Sequence, residues 1–334
     1  MDKINPTKKQ HFLPRFYLKR FADGNKFLQV YDKKRAKIIS PRPYSSVGYE
    51  HYFYAVQTGV PDEISQEIEE WLKVYEDIIS KELPKIIENI LSYKQITVDE
   101  RYILSALMCM LWLRSPSMRD SLNRMHEDMV KQINSLNAVP SVDKFIKDKG
   151  IYMTSIQREK LIKSIKDSKY NLRFNNASHL RFMTDTFGFN DKGFTNMFYG
   201  HKWKIYIAKG KKRFITTDNP VVEWWLPPED FYGRASFLER IKYFALTPEI
   251  FIELTYPQGS TKIKRKTLFE EEDGIVSFFN ITMVSRGGSD FAYSQEKSLL
   301  EEIMSGRANP GVLEKKVYEK YDYPWYLYKK QQIK

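Results

Sequence analysis

Ten consecutive residues constrain this chain most. Leu104-Ser105-Ala106-Leu107-Met108-Cys109-Met110-Leu111-Trp112-Leu113 is apolar on every side of a helix. Thr97, with Glu100 three residues on, forms a capping box and predicts where that helix starts. A helix without a polar face has to be enclosed by other elements, so it belongs at the centre of the fold. The apolar run from Ile103 to Leu113 is too short to span a bilayer. Arg114-Ser115-Pro116 interrupts it, and a polar amphipathic helix resumes to about Leu136.

A second helix is predicted after Asp62. Ile64, Ile68, Leu72, Tyr75, Ile79, Leu83, Ile86, Ile87 and Ile90 recur at helical spacing, with Pro84 as an expected kink. Near the front, Pro14 suits a first helical position, Phe16, Tyr17, Leu18 and Phe21 make a short apolar face, and Gly24 can stop the helix. Lys26 to Tyr31 and Arg35 to Ser40 alternate like a hairpin that Pro41 and Pro43 are expected to break. Residues 137–200 read as a helical insertion with breaks at Pro140, Gly150 and Asn175-Asn176.

From Lys202 the period changes to two. Strands are expected around Trp203, Ile205 and Ile207, at Phe214–Thr217, at Val221 and Val222, at Tyr243–Leu246, at Ile250–Leu254 and at Phe291–Tyr293. A helix from Glu270 to Arg286 lies among them, with Gly287-Gly288 at its end, and Pro227-Pro228 closes the strand after Val222. The fold class is α+β: a helix-rich single composite domain over residues 1–295, with a small, mostly antiparallel sheet and a central buried helix. Residues 296–334 read as a C-terminal helix and a basic, aromatic tail.

Composition then narrows the function. With Cys109 as its one cysteine, the chain can form neither an internal disulfide nor a thiolate metal cage, and a reducing cytoplasm is the expected location. No signal-like apolar run opens the sequence, and no membrane association is expected. Formal net charge is +12, and residues 1–42 hold twelve Lys/Arg against three Asp, a local balance of +9. Smaller clusters follow at Lys209-Lys211-Lys212-Arg213 and Lys262-Lys264-Arg265-Lys266. Such a field attracts nucleic acid, and it also serves as a solvated surface.

Phosphate-loop, zincin, nucleophile-elbow and paired-cysteine signatures are absent, and the five histidines show no metal-ligand spacing. What remains is polar groups beside apolar elements. His11 precedes a helix start in the most basic stretch, where it could serve as general acid or base or simply cap the helix. Glu69 and Glu76 share one helix face, able to hold a divalent cation such as Mg2+, to pair with a buried arginine, or to form a solvated flank. Arg114 directly follows the apolar helix and needs an anionic partner, either one of those glutamates or a substrate phosphate. Asp218 stands at a strand end before Asn219-Pro220, a position for a catalytic carboxylate or for an Asx-turn.

His11-x-x-Pro14-x-x-Tyr17-Leu18-x-x-Phe21, the Tyr-x-Tyr ending at residue 54, the Glu69 helix, Arg114-Ser-Pro, Thr217-Asp218-Asn219-Pro220 and Asn280 occur in that order. The series resembles the uncharacterised, mainly bacterial family catalogued as domain of unknown function 4238, over roughly residues 10–295. The resemblance implies that His11, Glu69, Arg114, Asp218, Asn219 and Asn280 converge in one site. Members of that family are also similar to accessory proteins of bacterial defence.

The leading expectation is a nucleic-acid-acting enzyme, a phosphodiester-cleaving nuclease. In it His11, Glu69 and Asp218 do the acid–base or metal work, and Arg15, Tyr17, Arg114, Asn219 and Asn280 contact substrate. The alternatives are a non-catalytic module that binds nucleic acid or protein through the same basic and aromatic surface, and a sugar or small-molecule hydrolase with a carboxylate pair.

Overall fold

The computed structural model describes residues 8–54, 56–57, 64–65, 67–172, 177–187, 193–224, 241–255 and 262–306. The chain opens with β1 (Lys9–His11) and α1 (Arg15–Leu18), which passes into a 3-10 turn over Lys19–Phe21. The hairpin β2 (Phe27–Asp32) and β3 (Lys37–Pro43) follows. β4 (Tyr49–His51) pairs antiparallel with β1, and β5 (Val56–Gln57) pairs with β6 (Ile64–Ser65). Helices then run in succession: α2 (Glu67–Leu91), α3 (Val98–Leu113), α4 (Pro116–Leu136) and α5 (Ala138–Lys149). α6 (Ser155–Lys166), α7 (Ala177–Thr186) and α8 (Phe194–Gly200) complete the series. Strands return as β7 (Lys202–Ala208), β8 (Thr216–Thr217), β9 (Val221–Trp224), β10 (Ile241–Thr247), β11 (Ile250–Thr255) and β12 (Lys264–Leu268). The last described elements are α9 (Asp273–Arg286), β13 (Phe291–Ser294) and α10 (Lys297–Gly306).

α3 starts where the capping box predicts. Thr97 Oγ1 accepts from the Glu100 N–H at 3.2 Å, and Glu100 Oε2 accepts from the Thr97 N–H at 2.9 Å. Every residue from Leu104 to Leu113 is buried, and α2 and α8 pack on this helix. A second enclosed helix, α9, is buried from Ile275 through Val284 rather than on one side only. It lies on the larger sheet, where Phe279 stacks on Phe251 with ring centres 4.2 Å apart and Tyr206, Phe214 and Tyr243 surround it.

The class is α+β, but in place of one small sheet there are two main ones. The five-stranded sheet has the order β12-β7-β11-β10-β9 and is antiparallel except for the β12–β7 pair. The four-stranded sheet, β3-β2-β13-β8, is antiparallel throughout. It exists because β13, from late in the chain, pairs with β2 of the N-terminal hairpin and carries β8 on its other side. Strand β12 is absent from the sequence reading, since Lys264-Arg265-Lys266 looks like a solvated charge run. At a sheet edge such a run is compatible with a strand and keeps the edge from pairing further.

Prolines account for most other departures. β3 continues through Pro41 to Pro43 because it is an edge strand, where the missing N–H costs no ladder bond. Pro140 lies in the first turn of α5, where N–H groups have no helical partner, so it ends nothing. α2 runs unbroken through Pro84, and Pro14 is the N-cap of α1 rather than its first residue. The expected features at Asp62, Asn175-Asn176 and Pro227-Pro228, and the tail from residue 307, lie outside the described residues.

Tyr17 joins the two sheets. Its hydroxyl donates to the Ala245 carbonyl of β10 at 2.7 Å and accepts from Thr216 Oγ1 of β8 at 2.7 Å. The ring is fully buried and stacks on Phe244, so it is a core pin and not a platform for substrate. Tyr17→Phe should leave two buried groups without that partner and destabilise the protein by about 1–3 kcal/mol. Urea titration reads this directly, and an unchanged midpoint would show that the joint contributes nothing.

Candidate functional site

α3 ends at its C-cap, Arg114, whose side chain is 2% exposed. A guanidinium placed there must find acceptors, and three segments supply them. Nη1 donates to Glu76 Oε1 of α2 at 2.6 Å, Nε donates to the Tyr54 hydroxyl at 2.7 Å, and Nη2 donates to the His11 carbonyl. Tyr54 Oη also donates to the His11 carbonyl at 3.2 Å. Burial alone would lower the Arg114 pKa, but the Tyr54 oxygen and the Glu76 carboxylate outweigh it and hold the group above its ordinary value. Arg114 therefore braces the site and is not available to a substrate phosphate.

Gln10, fully buried beside His11, links the second carboxylate. Its Nε2 donates to Glu69 Oε2 at 2.9 Å, and its Oε1 accepts from the Tyr54 N–H at 2.6 Å. His11 Nε2 donates to the Ser45 carbonyl at 3.2 Å, which leaves the lone pair of the neutral ring on Nδ1. His11, Glu69, Glu76 and Arg114 line one cavity of about 580 Å3. Lys9, Arg15 and Lys73 line it too, and among the described residues none of these three forms an ion pair.

The electrostatics shift the two titratable groups in opposite directions. Burial first, then the nearby Arg15, pulls the His11 pKa below its ordinary value, against the opposing pull of the Ser45 carbonyl. Burial raises the Glu69 pKa, with the Glu76 charge adding to it and the Gln10 amide opposing. The imidazole is favoured as neutral base, and the carboxyl holds its proton to higher pH than an exposed glutamate.

The remaining expected site residues lie elsewhere. Asp218 lines a separate cavity of about 550 Å3 with Arg42, Glu50, Asp290 and Tyr293. Phe12 lines that cavity while its neighbour His11 lines the first, so the chain at 11–12 contributes to both walls. Asp218 does not join His11 because both its oxygens accept from the Asp290 N–H, at 3.0 and 3.1 Å. Thr217 Oγ1 donates to the Asn219 carbonyl at 2.7 Å and accepts from the Asn219 N–H at 3.2 Å, while Asn219 Nδ2 donates to the Gly287 carbonyl. Asn219 lines a third cavity, of about 530 Å3, with Trp112, Met118 and Arg286.

Asn280 is 3% exposed; it accepts from the Ile215 N–H at 3.0 Å and donates to the Arg213 carbonyl at 2.9 Å. The Thr-Asp-Asn-Pro stretch and Asn280 thus stitch loops to β8 and α9, and the expected single site of six residues resolves into one cavity with three of them. Gln10 and Ser45 were not singled out by sequence. Gln10 carried a signal only in its place next to His11, and Ser45 acts through its backbone, which no side-chain motif reveals.

The basic clusters are partly neutralised. Lys211 pairs with Glu270, Lys212 with Glu302, and Lys266 with Glu272, while Arg265 donates to the Lys94 carbonyl. Near the front, Lys34 pairs with Asp290 and Arg35 with Asp32. Among the described residues no group of three or more His, Cys, Asp or Glu side chains is placed to hold a metal ion, and no helix is long and apolar enough to cross a membrane.

A family model described as "Protein of unknown function (DUF4238)" matches residues 9–298. No curated protein and no solved structure matches the chain.

Proposed function

The chain belongs to the DUF4238 family, and from that premise, which carries no activity, we propose that it is a nucleic-acid-acting enzyme that cleaves phosphodiester bonds in the His11–Glu69 cavity. One observation carries this reading: a neutral-leaning imidazole and a carboxyl with a raised pKa line one cavity whose other charged groups include three cations that, among the described residues, have no carboxylate partner. In this reading His11 Nδ1 takes a proton as general base, and Glu69 gives one as general acid. Lys9, Arg15 and Lys73 hold the phosphate and, by counterion release, make binding fall with salt. Arg114, Tyr54 and Gln10 fix the two reacting groups through their hydrogen bonds and do not touch substrate.

Asp218 and Asn280 have no part in this mechanism, because their polar atoms are committed to backbone partners away from the cavity. A carboxylate-pair glycosidase is less well supported, since Glu76, half of the Glu69–Glu76 pair, is bound to Arg114.

His11→Gln and Glu69→Gln should each lower the cleavage rate at least about 100-fold with nucleic-acid affinity little changed. Lys9→Ala, Arg15→Ala and Lys73→Ala should weaken binding and flatten its salt dependence. Unchanged cleavage by His11→Gln would overturn the assignment. Salt-sensitive binding without cleavage by the parent protein would favour the non-catalytic module instead.

A further inference from the structure

Taking the phosphodiesterase reading of the His11–Glu69 cavity as its base, we infer that the substrate is RNA and that the attacking oxygen is the ribose 2′-hydroxyl next to the cleaved phosphate. The cavity holds a base and an acid, and among the described residues that line it no hydroxyl or thiol is free to act with them as nucleophile. Ser80, the one hydroxyl-bearing aliphatic side chain lining it, donates to the Asp77 carbonyl of its own helix. The Arg114 guanidinium is committed to Glu76, Tyr54 and the His11 carbonyl, and the Tyr54 hydroxyl to Arg114 and His11. With no hydroxyl free among the described lining residues, the substrate itself is the natural source of the attacking oxygen.

An oxygen already attached to the reacting sugar has the advantage of proximity. Effective molarities for well-oriented internal attack reach roughly 10⁵–10⁸ M, and a single imidazole base is enough to exploit them. The 2′-hydroxyl is also the group by which a protein tells RNA from DNA. Tautomer geometry fits the role: Nε2–H is held by the Ser45 carbonyl, so Nδ1 is the atom that accepts a proton.

The step balances without an oxidant, reductant or co-reactant. His11 Nδ1 removes the proton from the 2′-oxygen as the O2′–P bond forms. The P–O5′ bond breaks, and the departing O5′ takes its proton from the Glu69 carboxyl. The products are a 2′,3′-cyclic phosphate and a 5′-hydroxyl, after which His11 loses a proton to solvent and Glu69 regains one.

The test uses the full chain and leaves the protein unaltered, so folding cannot confuse it. The cleaved bond is first mapped by mass spectrometry in a mixed-sequence single-stranded RNA. The same strand is then made with a 2′-deoxynucleotide on the 5′ side of that bond, together with the all-DNA version. Expected are 2′,3′-cyclic phosphate ends on the RNA product, and a loss of roughly 10³-fold or more at the deoxy position and on DNA. Equal cleavage of the deoxy strand, or products with a 5′-phosphate, would overturn the RNA inference and leave the phosphodiesterase reading standing. Failure to cut either polymer would remove both.

Discussion

Arg114→Met is expected to destabilise the protein by about 3 kcal/mol, the lower end of the range for breaking a buried ion pair, because Glu76 is only partly buried. The methionine fills much of the stem volume but leaves Glu76, the Tyr54 hydroxyl and the His11 carbonyl without their common donor. Arg114→Lys should recover only part of the loss, because a single ammonium cannot reproduce a planar fork aimed at three acceptors from three segments. Glu76→Gln should be milder, since the amide oxygen can still accept and Glu76 is 28% exposed. Urea unfolding followed by circular dichroism checks all three. An Arg114→Met protein as stable as its parent would mean that the network contributes no net stability. Under conditions where the variant remains folded, the proposed phosphodiesterase activity should still fall, because the His11 backbone and the Tyr54–Gln10–Glu69 chain lose their brace.

The second large effect is a stability profile that slopes the unusual way. Asp218 is 7% exposed, and burial pushes its pKa from 3.8 up to about 7, despite the backbone N–H of Asp290 donating to it. In the unfolded chain the carboxyl ionises near its ordinary value. Between about pH 4 and pH 7 the native state therefore keeps a proton that the unfolded state has lost, and stability declines as pH rises through that window. Below it the penalty is absent, and above it roughly 4 kcal/mol is lost, at 1.36 kcal/mol per pH unit. Asp218→Asn cannot ionise and should lack this slope, so it should gain on the parent steadily between pH 4.5 and 7.5. His11 and His179 are shifted down, chiefly by burial, and weaken the fold as pH falls through their range. Those contributions are common to both proteins and cancel in the comparison. Parallel stability curves for the two proteins across this range would refute the raised carboxyl.

What was legible in the sequence followed periodicity and local chemistry. The capping box at Thr97, the all-round apolar α3 and the alternating strands of the larger sheet depend on neighbours within a few residues. The pairing of Arg114 with Glu76 was one of two options, and the buried position of the guanidinium made an anion obligatory. Legibility ended where a partner is far away in the chain. Asp218, at a strand end two residues before a proline, has the local form of a catalytic acid, and only the Asp290 N–H across the sheet makes it a stitch. Asn280 likewise sits in an apolar helix, where either a site or a backbone cap could justify it, and the carbonyl of Arg213 and the N–H of Ile215 decide for the cap. β12 was hidden for a different reason: edge strands tolerate charge, so hydrophobic alternation is no guide there.

The position of β13 between β2 and β8 has a consequence for how the chain is made. As the polypeptide leaves the ribosome, β2 emerges early and pairs with β3, yet its other side stays bare until Phe291–Ser294 follows. For most of its synthesis the nascent chain carries a half-built ribbon with an open flank, prone to wrong partners. Closure over so long a sequence separation makes folding slow. The joint that Tyr17 makes between β8 and β10 is tied to the N-terminal hairpin only once β13 is in place, so a chain terminated before Phe291 should lack the four-stranded sheet.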